Sequence, residues 1–377
     1  MKRLRVEDEQ NNSDMLLIPC IVSIDFQFAS VEGPLMSKGK VTVLGSYVVD
    51  LMVRAPHLPV SGETVRGSLF QYGPGGKGSN QGIAAHRAGA WVQMITKIGN
   101  DIFANAALDT YHREGMDQSH VYRSDVAGTG AALIMVDEKS GANKIAVVPG
   151  AGDCFTSAEI EQARPTIEQA DIFLTQLETN FDAVEQAVAI AFRAGVPVIL
   201  NPAPIQPVSD AVLRQVTIIT PNETEASALT QIEVNSDESA LRAAHSLLQR
   251  GPKTVIITLG ERGSIIVTND SSQRVPPLKV KAVDSTGAGD AYNGALATAL
   301  AEGQTIGPAA RFASAAAGLS VTKLGTAPAM PYRAEIDAAL AQVFPPQAGL
   351  DSASSRKPPP QPSPGLPGEG ESPSSPK

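Results

Sequence analysis

The chain has 377 residues, 42% hydrophobic and 18% charged, which is ample for a large α/β domain with a buried core and too much for a mini-protein that needs staples. Its net charge of -9 comes with no long lysine or arginine run, which excludes a nucleic-acid partner held on a basic surface. The two cysteines, Cys20 and Cys154, make neither a disulfide framework nor a zinc or redox spacing and fit a reducing cytoplasm.

Residues 15–24 are mildly apolar, but Pro19 breaks the run and acidic residues precede it, so no export signal is expected. No stretch reaches the ~18 apolar residues of a membrane span. Residues 1–38 are expected to be a poorly ordered extension, with Met36 a candidate natural start. From 39 to 345 short β-branched runs alternate with amphipathic stretches, the pattern of parallel strands with crossover helices. The expected fold is α/β: a three-layer Rossmann-like core with a mainly parallel sheet.

In chain order, 41–45 is the first strand, followed by a strand pair over 51–72 and a glycine-rich segment leading into a helix over 80–90. A second strand pair over 129–148 turns at Lys139-Ser140-Gly141-Ala142-Asn143. Helices are expected over 158–169, 181–194, 238–249 and 288–301, and further strands over 172–177, 196–200, 216–219, 254–258 and 280–283. The near-continuous apolar runs suit strands buried on both faces. The strand pairs, within about 50–73 and 129–149, are expected to form a small β lid over the strand ends where open sheets bind ligands. Its strands are apolar on more than one face, a liability unless paired. Residues 346–377, rich in proline, serine and glycine, read as a disordered tail.

Two nucleotide signatures fail. Gly45-Ser46-Tyr47-Val48-Val49-Asp50 lacks the G-x-G-x-x-G of a dinucleotide fold, and Gln71 stands where a Walker A loop ending at Lys77 requires glycine. Yet Gly73-Pro74-Gly75-Gly76-Lys77-Gly78-Ser79-Asn80 runs into a helix, so backbone N–H groups can approach a polar ligand, with Lys77 and Asn80 as handles. Asp284-Ser285-Thr286-Gly287-Ala288-Gly289-Asp290 has the same form: a tight turn, a helix start, and a carboxylate in the first turn. Such a turn cradles charge on a transferring phosphoryl group, and Asp290 can accept the proton of an attacking hydroxyl. Taken alone, an acid there also serves as a cap or dipole partner.

Together the two loops resemble the two signatures of ribokinase-like carbohydrate kinases. The likeness runs from residue 40 to about 340 and includes Leu177-Glu178, Asn201-Pro202-Ala203-Pro204, Thr220-Pro221-Asn222-Glu223-Thr224-Glu225 and Thr258-Leu259-Gly260-Glu261-Arg262-Gly263. The resemblance implies ATP-dependent phosphorylation of D-ribose at its 5-hydroxyl, with a 2-deoxyribokinase or another sugar or nucleoside kinase as the alternative and a non-catalytic sugar-binding regulator behind them. It makes Asp290 the base and Gly287, Ala288 and Gly289 the anion hole. Ser46, Val48, Asp50, Gly76, Lys77, Gly78, Asn80, Glu178 and Asp290 match sugar positions; Asn222, Thr258, Gly260, Gly263, Gly289 and Ser314 match ATP positions. Asn222 and Glu225 match a motif arranging Mg2+ around the phosphates. A monovalent cation, K+, is implied beside Asp284, Thr286, Ser320, Lys323, Gly325 and Ala329, and a homodimer through the β lid.

Two departures stand out. Ala329 occupies a cation-loop position often filled by serine. Val48 replaces the asparagine two residues before the aspartate of typical ribokinases, as an apolar residue does in 2-deoxyribokinases. A buried sugar hydroxyl without its partner costs ~1–3 kcal/mol, about 5- to 100-fold in affinity.

Overall fold

The computed structural model describes residues 38–343. The expectations for the N-terminal extension, the start at Met36, Cys20 and the tail from 346 lie outside them. The described chain runs β1 (Lys40–Leu44), β2 (Val48–Ala55), β3 (Leu69–Gly75), α1 (Lys77–Arg87), β4 (Trp91–Ile98), α2 (Ile102–Glu114), β5 (Asp117–Arg123), β6 (Gly130–Asp137) and β7 (Asn143–Val148). It continues through α3 (Ser157–Gln162), α4 (Arg164–Glu168), β8 (Ile172–Thr175), α5 (Phe181–Arg193), β9 (Val198–Leu200), α6 (Asp210–Leu213), β10 (Ile218–Ile219), α7 (Glu223–Thr230) and α8 (Asp237–Gln249). Last come β11 (Thr254–Thr258), β12 (Ser264–Thr268), β13 (Ser272–Val275), α9 (Ala288–Ala301), α10 (Ile306–Ser320) and α11 (Arg333–Val343).

Nine strands form the main sheet in the order β13-β12-β11-β10-β9-β8-β1-β4-β5. It is parallel from β11 to β5, with the antiparallel edge β11-β12-β13 added by a hairpin that the chain-order reading does not single out. Side chains alternate across a strand, so each buried strand feeds two cores. Val43, Leu174, Ile199 and Ile256 pack with α1, α9 and α10 on one face; Leu44, Phe173, Leu200 and Ile257 pack with α5 and α8 on the other. The three-layer α/β core with a mainly parallel sheet is therefore as expected.

The small sheet is also present, ordered β3-β2-β6-β7, with β2 parallel to β6 and the other pairs antiparallel.

Three local expectations change. The helix expected over 80–90 begins at Lys77, because Gly76 at φ 86° turns the chain one residue ahead of it. The helix expected over 158–169 is two short helices meeting at Ala163, where Pro165 lacks the N–H that continuation requires. Residues 280–283 form no strand: Val283 and Asp284 both donate their N–H to the Val321 carbonyl at the end of α10.

Candidate active site

The site forms where α1 and α9 pack side by side. The contact is close because Gly294 faces the α1 backbone, where a Cβ would stand 2.5 Å from the Gln81 carbonyl. Both helices start on a glycine at positive φ, Gly76 at 86° and Gly287 at 78°, and neither has a side-chain cap. A Cβ at Gly76 would lie 2.7 Å from the Val48 nitrogen, and one at Gly78 2.5 Å from Gly45. The glycines thus seat the start of α1 directly on the β1–β2 turn.

The two starts are satisfied differently. At α1, Glu178 Oε2 accepts the Lys77 N–H at 2.8 Å and the Ser46 hydroxyl at 2.6 Å. At α9, Ala291 N–H bonds Gly287, while the N–H groups of Gly289 and Asp290 make no hydrogen bond among the described residues. A Cβ on Gly289 would meet nothing within 4 Å. One positive helix end is filled by a protein carboxylate; the other faces open space.

Asp290, 6% exposed, lies between them. Asn80 Nδ2 donates to its Oδ2 and Gln81 Nε2 to its Oδ1, both at 3.0 Å. Burial pushes the Asp290 carboxyl above its ordinary value, opposed by the Lys77 ammonium and by the Gln81 and Asn80 donors. Burial works against the Lys77 ammonium, but Asp290, Glu178 and Glu225 together outweigh it and raise its pKa. The Oδ1 of Asn80 is buried with no partner among the described residues, an acceptor suited to a ligand hydroxyl.

Asp50, on β2 of the small sheet, has its carboxyl pushed up to about 6, chiefly by burial and also by the charges of Glu178 and Asp290, while a hydrogen bond from Thr326 pulls it down. Thr326 Oγ1 lies 3.3 Å from Asp50 Oδ2 and 3.2 Å from the Pro74 carbonyl. Val48 is buried, its Cγ2 packed where a Cβ on Gly130 would stand at 3.1 Å. It brings no polar atom.

On the other side of α9 is a cavity of about 1150 Å³ whose lining includes Asn222, Thr258, Gly260, Gly263, Gly289 and Ser314. All six positions expected around ATP thus share one wall, with Leu278 and Ala317 adding apolar surface. Asn222 and Glu225 form a reciprocal capping box: Glu225 N–H donates to Asn222 Oδ1 at 2.8 Å, and Asn222 N–H to Glu225 Oε2 at 2.9 Å. Burial raises the Glu225 pKa.

Of the positions expected around a monovalent cation, three converge. Asp284 accepts the N–H of Thr286 at 2.9 Å and of Gly325 at 3.0 Å, and all three line a second cavity of about 880 Å³ together with Asp50. The Ser320 hydroxyl instead bonds the Ala317 carbonyl, Lys323 pairs with Glu335, and Ala329 is buried and apolar. Lys323, its ammonium paired, has only its backbone carbonyl to offer there, while the Ser320 hydroxyl, having donated its hydrogen, keeps its acceptor lone pairs. Sequence reading missed Gln81, whose one signal is its place beside Asn80, and Thr326, which has none.

The pfkB family carbohydrate kinase description matches residues 38–333. A ribokinase of Haemophilus influenzae is 42% identical over 294 residues, covering 78% of this chain and 96% of that protein. A deoxyribokinase of Salmonella typhi is 33% identical over 292 residues, covering 77% and 95%. The structure of Arabidopsis thaliana ribokinase complexed with ribose and ATP superposes with a TM-score of 0.73 at 30% identity, covering 80% of this chain and 99% of that one. On the match across residues 38–333, and with the open start of α9 bordering a cavity through Ala288 and Gly289 and carrying the buried Asp290 carboxylate, the chain belongs to the pfkB family of carbohydrate kinases and is an ATP-dependent sugar kinase.

Proposed function

We propose that this chain transfers the γ-phosphoryl of ATP to the 5-hydroxyl of D-ribose, giving ribose 5-phosphate and ADP. The observation that carries the reading is the buried Asp290 carboxylate in the first turn of α9, at its open start. The Asp290 Oδ2 takes the hydroxyl proton, the free N–H groups of Gly289 and Asp290 receive the phosphoryl oxygens, and Lys77 offsets their negative charge. Ser46, Asp50, Gly76, Gly78, Asn80 and Glu178 frame the sugar, and the wall from Asn222 to Ser314 receives the nucleotide. The 42% identity to a ribokinase, against 33% to a deoxyribokinase, favours ribose.

Among the described residues no group of three or more His, Cys, Asp and Glu side chains is placed to hold a metal ion, which suits Mg2+ carried by phosphates and water. Both Glu225 oxygens are bonded to Asn222, so the pair fits an outer role around that ion. Asp284, engaged by two N–H groups, keeps lone pairs for K+. When bound, these cations supply charge neutralisation for the phosphates.

The enzyme is proposed to work in the cytoplasm as a homodimer through the lid, whose Phe70, Tyr72, Leu133 and Val148 are exposed. A dimer mass in light scattering is the expected result. An ADP-release assay across ribose, 2-deoxyribose, hexoses and nucleosides, with K+ or Na+, tests the whole reading. Ribose is expected to have the highest kcat/KM, and Val48→Asn to raise its ratio over 2-deoxyribose. A hexose or nucleoside leading the series rejects the substrate.

A further inference from the structure

Behind Asp290 lies a chain of buried side-chain amides that none of the sugar or nucleotide contacts uses. Gln81 Nε2 is shared at 3.0 Å between Asp290 Oδ1 and Asn201 Oδ1. Its Oε1 accepts from Gln176 Nε2 at 2.6 Å, which fixes the end of the amide that meets the carboxylate: a flipped Gln81 would set oxygen against oxygen. Asn201 Nδ2 donates to the Thr220 carbonyl at 3.2 Å, Thr220 Oγ1 to Asn293 Oδ1 at 2.6 Å, and Asn293 Nδ2 to the Gly289 carbonyl at 2.8 Å. Gln176, Asn201 and Thr220 follow the ends of β8, β9 and β10. The bonds therefore run from the Asp290 carboxylate around three strand ends and back to the residue before it. Gln81, Gln176, Thr220 and Asn293 are each no more than 1% exposed.

We infer that Gln81 is a positioning residue for phosphoryl transfer, holding Oδ1 of Asp290 in the protein so that Oδ2 is the oxygen presented to the sugar. The inference rests on Asp290 being the base. Oδ1 is fixed in a network that closes on the Gly289 carbonyl, whereas the partner of Oδ2, Asn80, is itself on the sugar side. In the reaction the hydroxyl proton passes to Oδ2, the sugar oxygen bonds the γ-phosphorus, and the bond from that phosphorus to the β–γ bridging oxygen breaks with its electron pair leaving on ADP. Rotation of the carboxylate would break Gln81's bond, so the network fixes the angle of the base relative to the turn that receives the phosphoryl group.

Gln81's donor also favours the ionised form of Asp290, in the same sense as Lys77 and Asn80, and against Glu178, Glu225 and Asp50, which face it from the end of β8, from α7 and from β2. A role confined to packing would leave the titration of Asp290 alone; this role does not.

The test compares Gln81→Leu, Gln81→Glu and Gln176→Leu with the wild type in full-length enzyme, following kcat at saturating ribose and ATP across pH, the ribose KM, and thermal unfolding. Gln81→Leu is expected to lower kcat about 10- to 100-fold with KM changed less than about threefold, and to move the acidic limb of the kcat profile to higher pH. Gln81→Glu, which keeps the shape but sets carboxylate against carboxylate, is expected to lose more. Gln176→Leu, which leaves Gln81 in place but unaimed, is expected to lose less, with the same shift. A cooperatively melting Gln81→Leu with kcat within about twofold of wild type and an unmoved limb overturns the inference. So does a loss confined to KM. If Gln81→Leu does not fold, the other two variants decide on the same readouts. A wild type that turns over another acceptor and not ribose rejects the substrate instead, and the variants are then read on that acceptor.

Discussion

The starts of α1 and α9 are the same device used in two ways. Each opens on a glycine at positive φ, each lacks a side-chain cap, and the helices lie against each other so that Asn80 of one bonds Asp290 of the other across 210 residues of sequence. At α1 the Glu178 carboxylate already occupies the positive end; at α9 the N–H groups of Gly289 and Asp290 are unpaired among the described residues. Two adjacent vacant helix ends would compete for a phosphate. In the proposed reaction, filling one with a protein carboxylate leaves a single place for the phosphoryl group and makes the filled end a rigid support for the sugar.

The hardest way to break this division is to remove the base that joins the halves. Asp290→Asn keeps the shape and is expected to lower kcat about 10²- to 10⁴-fold while leaving the ribose KM nearly unchanged. Steady-state ADP release measures both. Second in size is Glu178→Gln, which removes the anion at α1 and leaves a neutral amide oxygen to accept both the Lys77 N–H and the Ser46 hydroxyl. Hydrogen bonds to a charged group contribute ~1.5–3 kcal/mol, so a rise in ribose KM of about 10- to 100-fold is expected. A rise in ATP KM of the same size would mean that the two helix ends do not divide the labour.

The parts of this site that were legible in the sequence are those whose signal is local. Gly76 and Gly287 announce themselves because glycines before an apolar helical run mark a positive-φ turn, and Asp290 and Lys77 sit within a few residues of them. The six positions expected around ATP, spread between Asn222 and Ser314, converge on one cavity. What the sequence does not carry is partnership. Thr326 meets Asp50 across 276 residues and Gln81 meets Asn201 across 120, and nothing in the local pattern of either residue sets such a distance. The same limit holds in the fold: β-branched residues at 280–283 read as a strand, but the segment instead hangs from the Val321 carbonyl at the end of α10.

The glycines sharpen the comparison further. Gly76→Ala places a Cβ at φ 86°, 2.7 Å from the Val48 nitrogen, and is expected to cost ~1–3 kcal/mol, lowering Tm by roughly 2–4 °C per kcal/mol. Gly289→Ala meets no atom within 4 Å, so Tm should hold. Its methyl instead borders the nucleotide cavity, and ATP KM is expected to rise by less than about tenfold. Differential scanning fluorimetry and ATP titrations separate the two outcomes. A Tm loss for Gly289→Ala as large as for Gly76→Ala would show that the start of α9 is as tightly packed as that of α1.

The smallest effect falls on the thread that ties the lid to the loop beyond α10. Asp50 has its pKa raised to about 6 by burial, so its ionised form, proposed to accept sugar hydroxyls, is lost as pH falls through about 6, and kcat/KM for ribose is expected to fall with it. The Thr326 hydrogen bond pulls that pKa down. Thr326→Val is nearly the same shape and removes it, so the acidic limb should move to higher pH, with ribose KM at neutral pH up only a few-fold, because the hydroxyl is divided between Asp50 at 3.3 Å and the Pro74 carbonyl at 3.2 Å. The stability sign runs the same way. A raised folded pKa means that the ionised Asp50 weighs against folding above about 6 and is relieved on acidification. The Thr326→Val enzyme should therefore lose stability at pH 7 relative to wild type and recover part of the difference below the folded pKa, where Asp50 is protonated in both. Because Thr326 follows Gly325, whose N–H is held by Asp284 beside the α9 turn, an acidic limb that stays put in Thr326→Val would separate the lid from the phosphoryl side of the site.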